Sequence, residues 1–527
     1  KEQLEFDLGT EAILPELGSV HKTHKGCFLR VGERNYSVVI IPAEMENLDR
    51  CTFELLKEFL DKGGLVLSVG NDEAPRCVDG VEASEVTLLK KSTGWKRCAP
   101  EQVTATAEAH SKPGLKISLA DGNTATVYHH RRQLKDGEIL FLVNTSDDCS
   151  AAGSISTPLQ GMRKACPRTG KIEAYPSKRD GKLCTASFVL PPCGSLLLFL
   201  DQKVKAADPA PAQAAATTQI ALSDIEVRRV DDNNMILDYV DVQVREKSLQ
   251  GVFWKEAAAF SFKENGLSGN IWDHCVQFRD ELLQMEFPED SGFQMNYRFT
   301  IEGAVPERLY LVVERADLYT ITCNDVAIRP EEGLWWLDRS FQMINLAGAA
   351  QSGDNRVHLS AQPMTVFHEL EAAHLVGDFS VKPTEKGFVV TAAAPLNLGA
   401  WNAQGLPFYG RRVCYTATAQ IEQKSGRYLL QVPQWQGVVA EVRVNGQKSG
   451  VVYGQPPICD ITDQITAGSN TVEFIVYGSQ RNPLGPHLGN QDLGFCHPGS
   501  WNKAPVAPQP AGEDYFTMPY GLLAPFE

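Results

Sequence analysis

Gly353-Asp354-Asn355-Arg356-Val357-His358-Leu359 recurs as Gly468-Ser469-Asn470-Thr471-Val472-Glu473-Phe474. Each copy follows an alternating run that ends in a turn signal. The first is Tyr319-Thr320-Ile321-Thr322-Cys323 before Asn324-Asp325; the second is Ala440-Glu441-Val442-Arg443-Val444 before Asn445-Gly446. Asn-Gly between strands supplies the positive φ that a tight hairpin needs. Gly-x-Asn ahead of an apolar-alternating run marks a turn and then a half-buried strand. The second half is therefore expected to hold two related β-sandwich modules, at 218–380 and 381–527, the last stretch wrapping over the second. Modules of this kind usually bind and rarely do chemistry, so the search moves to a ligand class.

Working outward, residues 204–217 are rich in Ala and Pro and read as a linker. Before it, residues 99–203 look all-β. The runs Thr124–Tyr128, Ile139–Val143 and Ser195–Leu200 are strand-like, and Asp136-Gly137, Thr169-Gly170 and Asp180-Gly181 separate such runs. Residues 1–98 carry one βαβ unit. Tyr36–Pro42 suits a strand buried on both faces, Asn47 or Asp49 can cap a helix, and Phe53, Leu56, Phe59 and Leu60 form its stripe. Gly63-Gly64 ends the helix and Leu65–Val69 returns as the next strand. Two parallel strands are too small a sheet to stand alone, and 71–98 is weakly patterned. The fold class is mostly β with one partial α/β domain followed by β-sandwich, jelly-roll domains.

Composition bounds the partners. The 527-residue chain has a formal net charge of −15, which argues against nucleic acid or an anionic membrane surface as main partner. Thirteen cysteines are scattered without a CxxC pair, so neither a disulfide framework nor a zinc ribbon is expected, and a reducing, cytoplasmic compartment fits them. No leader is visible, and the longest apolar run, Leu196–Leu200, is far short of a membrane span.

Candidate sites compete with blander readings. His368 and His374 lie six apart, not the four that would put two ligands on one helix face, so 368–374 reads as an exposed connector rather than a metal site. No GxGxxG follows Ile41, and Gly70-Asn71-Asp72-Glu73 holds no nucleophile. His129-His130-Arg131-Arg132 is a cationic cluster between two strands; solvent, a neighbouring domain or an anionic ligand could satisfy it. Trp335, Trp336 and Asp338, with Trp401, Asn402, Tyr409 and Trp435, are the candidate carbohydrate contacts. Sugar C–H faces stack on aromatic rings while Asp and Asn bond the hydroxyls, although sandwich cores also bury tryptophan. No cofactor is expected. A structural calcium is compatible with such sandwiches, but no Asp-rich loop places one. No carboxylate pair stands out for glycoside hydrolysis, and the eight strand–helix repeats of a (β/α)₈ barrel are missing.

Taken in order, Leu4-Glu5-Phe6-Asp7, Tyr36–Pro42, Gly63-Gly64-Leu65-Val66 and His129–Arg132 with Asp136–Asn144 resemble α-L-rhamnosidases of glycoside hydrolase family 106 and their relatives. So do Pro395–Trp401, Gly405–Tyr409, Tyr477-Gly478-Ser479, Asn482–His487 and Pro519–Leu523. The two later sandwiches resemble the galactose-binding-like domain that also serves as sugar-binding domain in family 2 glycosidases. The resemblance implies the C-terminal portion of a larger glycosidase whose catalytic (β/α)₈ barrel precedes the α/β domain. It implies no catalytic residue in this chain. A free-standing carbohydrate-binding protein stays open, as does a self-sufficient enzyme using His129, His130 and nearby acids.

Overall fold

The computed structural model describes residues 3–24, 26–70, 74–111, 114–167, 169–206, 218–269, 271, 279–368, 370–487 and 504–527. The chain is mostly β with a small α/β region. It divides into two compact units, Lys1–Ala215 and Ala216–Glu527. Most of the Ala/Pro linker at 204–217 lies outside the described residues, as does the Asn71–Glu73 turn.

In the first unit, Val38–Ile41, Leu65–Val69 and Trp95–Cys98 form a three-stranded parallel sheet. The third strand was hidden because two charges, Lys96 and Arg97, sit between its buried ends. Helix Arg50–Asp61 buries Phe53, Leu56, Phe59 and Leu60. Asp49 occupies the N-cap position, its carbonyl accepting from the Phe53 N–H at 2.9 Å, but its side chain makes no capping bond; Asn47 Oδ1 accepts instead from the Gly80 N–H at 2.7 Å. Gly63 ends the helix at φ +93°, while Gly64 N–H returns to the Phe59 carbonyl at 2.7 Å. Farther along, a four-stranded sheet led by Lys116–Leu119 and a five-stranded sheet led by Val127–Gln133 enclose a core of Leu140, Leu142, Ile155, Phe188 and Leu198.

The second unit holds two sandwiches. In the first, a five-stranded sheet runs Asn233–Leu237, Ala373–Gly377, Leu309–Glu314, Asp338–Asn345, Trp335–Trp336. It faces a larger sheet centred on Phe293–Ile301 and Gly353–Ala361. The alternation of Phe293–Ile301, with every odd residue buried, puts Tyr297 and Phe299 into the shared core with Leu311, Leu359 and Leu375. The second sandwich is built on Arg412–Ile421, Gly468–Tyr477 and Val439–Val444 around Trp401, Tyr415 and Phe474. Its edge strand is Glu226–Arg229, which precedes the first sandwich in sequence. The C-terminal stretch touches both sandwiches. Gly521–Leu522 pairs with Trp435–Gln436 in the second. In the first, the buried Asp238 carboxylate takes the Tyr515 hydroxyl at 3.0 Å and His487 Nε2 at 2.6 Å.

The repeated motif is one turn lock built twice. Asn324 (φ +49°) and Asn445 (φ +53°) open the hairpins, and Gly353 (φ +85°) and Gly468 (φ +97°) open the following strands. Asn355 is buried; its Oδ1 accepts from Asn324 Nδ2 and Gln351 N, and its Nδ2 donates to the Gln351 and Gly353 carbonyls. Asn470 makes the same set with Asn445 Nδ2, Thr466 N, and the Thr466 and Gly468 carbonyls. A carboxamide presents both donors and acceptors, so one side chain can satisfy a whole buried loop.

Candidate functional site

The first sandwich brings Trp335, Trp336 and Asp338 to one edge of its five-stranded sheet. Gly333 at φ +76° and Leu337 at φ +61° turn the chain sharply on either side of the two tryptophans. Trp336 points inward, its ring tilted against that of His374 with the centroids 4.8 Å apart. Trp335, opposite Gln342 on the neighbouring strand, keeps 49% of its surface exposed.

Polar groups gather beside it that sequence reading missed. Asp338 accepts from the Ser340 N–H and hydroxyl, each at 2.8 Å, and these bonds hold its carboxyl below the usual range. The Ser340 hydroxyl also lies 3.4 Å from Glu314. Burial pushes the Glu314 carboxyl up, and the nearby Asp338 charge adds to that. Gln342 Oε1 accepts from the Asp317 N–H, and Arg315 forms a two-bond pair with Asp317 at 3.0 and 3.1 Å. The one sequence signal was Asp338-Arg339-Ser340, an Asx-turn spacing next to the tryptophans. The edge thus combines an apolar ring with carboxylates, an amide and a guanidinium.

The other candidates do not join it. Trp401 is 1% exposed and donates its Nε1–H to the Tyr415 hydroxyl at 2.7 Å. Tyr409 is 0% exposed and donates to the Arg412 carbonyl at 2.7 Å. Both are core residues of the second sandwich with no ring face open to a sugar, which corrects the expectation for them. Asn402 is spent on Thr517, and Trp435 is half-buried with its ring edge-on to Phe474.

The cationic cluster lies within the strand Val127–Gln133, not between strands. Its ladder with Gly137–Asn144 overrides the charge density of the run. His129 and Arg131 share one face. His129 Nδ1 lies 2.8 Å from Gln3 Oε1, and Arg131 donates to Glu5 at 2.6 Å. Burial opposes ionisation of Glu5, but the His129 and Arg131 contacts outweigh it and hold the carboxyl below its usual range. His130 and Arg132 are exposed.

The histidine segment is corrected as well: both rings are buried, not in an exposed connector. His368 Nδ1 accepts from the Thr365 N–H at 2.9 Å while Nε2 lies 2.9 Å from the Leu318 carbonyl. His374 sits inside the sheet, and burial pushes its pKa down to about 3. Among the described residues, no group of three or more His, Cys, Asp or Glu is placed to hold a metal ion.

No protein-family model matches this chain, and no curated protein matches it. Solved structures do. A rhamnosidase from Novosphingobium sp. PP1Y is 14% identical with a TM-score of 0.43; the match covers 97% of this chain and 35% of that one. The α-L-rhamnosidase of Streptomyces avermitilis, solved with L-rhamnose, is 10% identical with a TM-score of 0.22, over 69% of this chain and 38% of that one. An exo-carrageenase from Bacteroides ovatus is 15% identical with a TM-score of 0.25, over 38% and 25%. The chain thus spans little more than a third of these proteins at most.

Proposed function

We propose that this chain is the non-catalytic C-terminal portion of a glycoside hydrolase acting on glycans, rhamnosides first, and that it binds saccharide at the Trp335 edge. The observation that carries the reading is the half-exposed Trp335 ring beside Asp338, Ser340 and Gln342. A pyranose laid on the indole buries its C–H face, and the flanking carboxylate and amide bond its hydroxyls. The ordered resemblance along the sequence supports the same reading. Two-carboxylate hydrolysis is assigned to a barrel partner, and this portion would buttress it and shape the rim of its cleft.

The test is saccharide binding by the whole 527-residue chain and by Trp335→Ala, on a glycan array and by titration. Specific binding that falls roughly tenfold in the variant is expected for the loss of one stacking platform. Binding unchanged by Trp335→Ala would remove this edge as the site. Intact mass of the protein from its source tests the second half of the proposal. A polypeptide several hundred residues longer supports it; a natural start at Lys1 overturns it in favour of a free-standing binder.

A further inference from the structure

A second opening lies in the same sandwich, on the larger sheet. Three strand ends meet there: Tyr239–Val244 and Gly353–Ala361 finish beside the start of Phe293–Ile301. They leave a cleft of about 210 Å³. Its rim carries Gln243, Arg245, Asp290, Gln294, Ser360 and Gln362.

The floor of the cleft is built rigidly. Gly292 (φ +131°) passes so close to its neighbour that a Cβ there would lie 2.0 Å from the Ala361 carbonyl oxygen. The Asn265 side chain clamps it from both sides, accepting from Gly292 N at 2.9 Å and donating to its carbonyl at 3.1 Å. Buried Ser291 accepts from the Met364 N–H at 3.0 Å. Phe293, the one aromatic at the cleft, is 3% exposed and turned into the core.

The rim has a specific chemistry. Gln243, Gln294 and Ser360 lie in one row across three strands, because they are register partners. Arg245 and Asp290, both more than half exposed, stand 3.8 Å apart, so the rim carries one charge of each sign. Gln243 turns its amide N–H₂ to the Arg245 carbonyl at 2.9 Å. Among the described residues, the Gln294 and Gln362 amides and the Ser360 hydroxyl have no protein partner. A row of amides and a hydroxyl offers donors and acceptors side by side, with no exposed apolar face beside them. A hydroxyl donates and accepts at once, so a polyol matches such a row. Pockets that enclose drug-sized ligands run to about 300–1,000 Å³; this smaller cleft suits one ring rather than an extended chain.

We propose that this cleft is a second saccharide subsite that takes a single neutral sugar unit by its hydroxyl edge, without aromatic stacking. The inference rests on the reading of the chain as glycan-binding and adds a site independent of Trp335.

The experiment titrates the whole chain with methyl α-L-rhamnopyranoside, methyl β-D-galactopyranoside and D-galacturonate, by calorimetry and ligand-observed NMR. Four proteins are compared: wild type, Trp335→Ala, Gln294→Ala/Gln362→Ala, and the triple variant. All three positions are peripheral, and a thermal melt checks that each variant is folded. Expected is residual binding of a neutral glycoside in Trp335→Ala that weakens roughly tenfold in the triple variant, for two lost neutral hydrogen bonds. Binding abolished by Trp335→Ala alone overturns the cleft and leaves the first site standing. Binding lost in the double variant and untouched by Trp335→Ala supports the cleft and removes the first site. Preference for the uronate over both neutral glycosides overturns the neutral-ligand assignment, and no binding by wild type overturns both sites.

Discussion

Asn355 in the first sandwich and Asn470 in the second hold their loops through the same four hydrogen bonds, each to a partner at the matching position. Around these twin locks the modules diverge. The first buries two histidines and leaves an edge tryptophan and a polar cleft open. The second buries Trp401, half-buries Trp435 and spends two amides on the C-terminal stretch, through Asn402–Thr517 and Asn482–Met518. A turn lock needs only a few residues close in sequence and a strand partner to complete it. A surface depends on what else packs nearby. The difference teaches that a repeated motif fixes a shared scaffold but says nothing about a shared site.

The largest expected effect concerns the contact that joins the stretch around His487 and Tyr515 to the first sandwich. Removing one partner of a buried charged group typically costs about 3–5 kcal/mol. His487→Ala, which among the described residues leaves the fully buried Asp238 side chain with Tyr515 as its hydrogen-bond partner, is expected to destabilise by about that much in denaturant unfolding. A loss below about 1 kcal/mol would mean that the two sandwiches do not depend on this tie.

The twin locks come next. Asn355→Ala and Asn470→Ala each orphan several buried donors and acceptors, at about 1–3 kcal/mol per group left unpaired. Each is expected to cost about 3 kcal/mol, and the two values to agree within about 1 kcal/mol. A wide gap between them would break the equivalence of the modules.

Acid separates the modules. An unfolded histidine titrates near 6.5, whereas buried His374 is held down to about 3. Between those values the unfolded chain binds a proton that the folded chain does not. The stability tied to neutral His374 is therefore intact above pH 6.5 and declines as the pH falls toward 3, by up to about 1.4 kcal/mol per pH unit. His374→Phe keeps an apolar ring beside Trp336 and is expected to flatten that part of the pH–stability curve. An unchanged slope would place the acid sensitivity elsewhere. The smallest effect on stability belongs to Trp335→Ala, within about 0.5 kcal/mol, because the ring sits at an exposed edge; a larger loss would recast the ring as structural.

Several features were legible in the sequence because they are local. Helix Arg50–Asp61 showed its stripe and its Gly-Gly stop, and the alternating strands of both sandwiches showed their period of two. Trp95–Cys98 escaped because a four-residue strand carries too little pattern. His129–Arg132 read as a cationic cluster between two strands because its charges masked a strand that Glu5 and Gln3, over a hundred residues away in sequence, make tolerable. His368 and His374 read as exposed for the same reason. A histidine's burial is set by what covers it, here Tyr319 and Phe293 for one and Trp336 and Phe341 for the other.

The candidate site follows the same division. Of the seven aromatic and polar contacts expected from the sequence, Trp335 and Asp338 lie together at an exposed edge, whereas Trp336 turns inward against His374 and Trp401 packs on Tyr409 in the second core. Residue type alone cannot tell a tryptophan that faces solvent from one that fills a core. By itself the sequence determined the mostly-β class, the first of the two βαβ crossovers and the doubled turn, because backbone propensity and short-range hydrogen bonds act over a few residues. The tertiary structure alone decided which tryptophan is exposed, which charges are already paired, and where three strand ends part to leave a cleft. Those outcomes depend on register and packing between segments far apart in the chain.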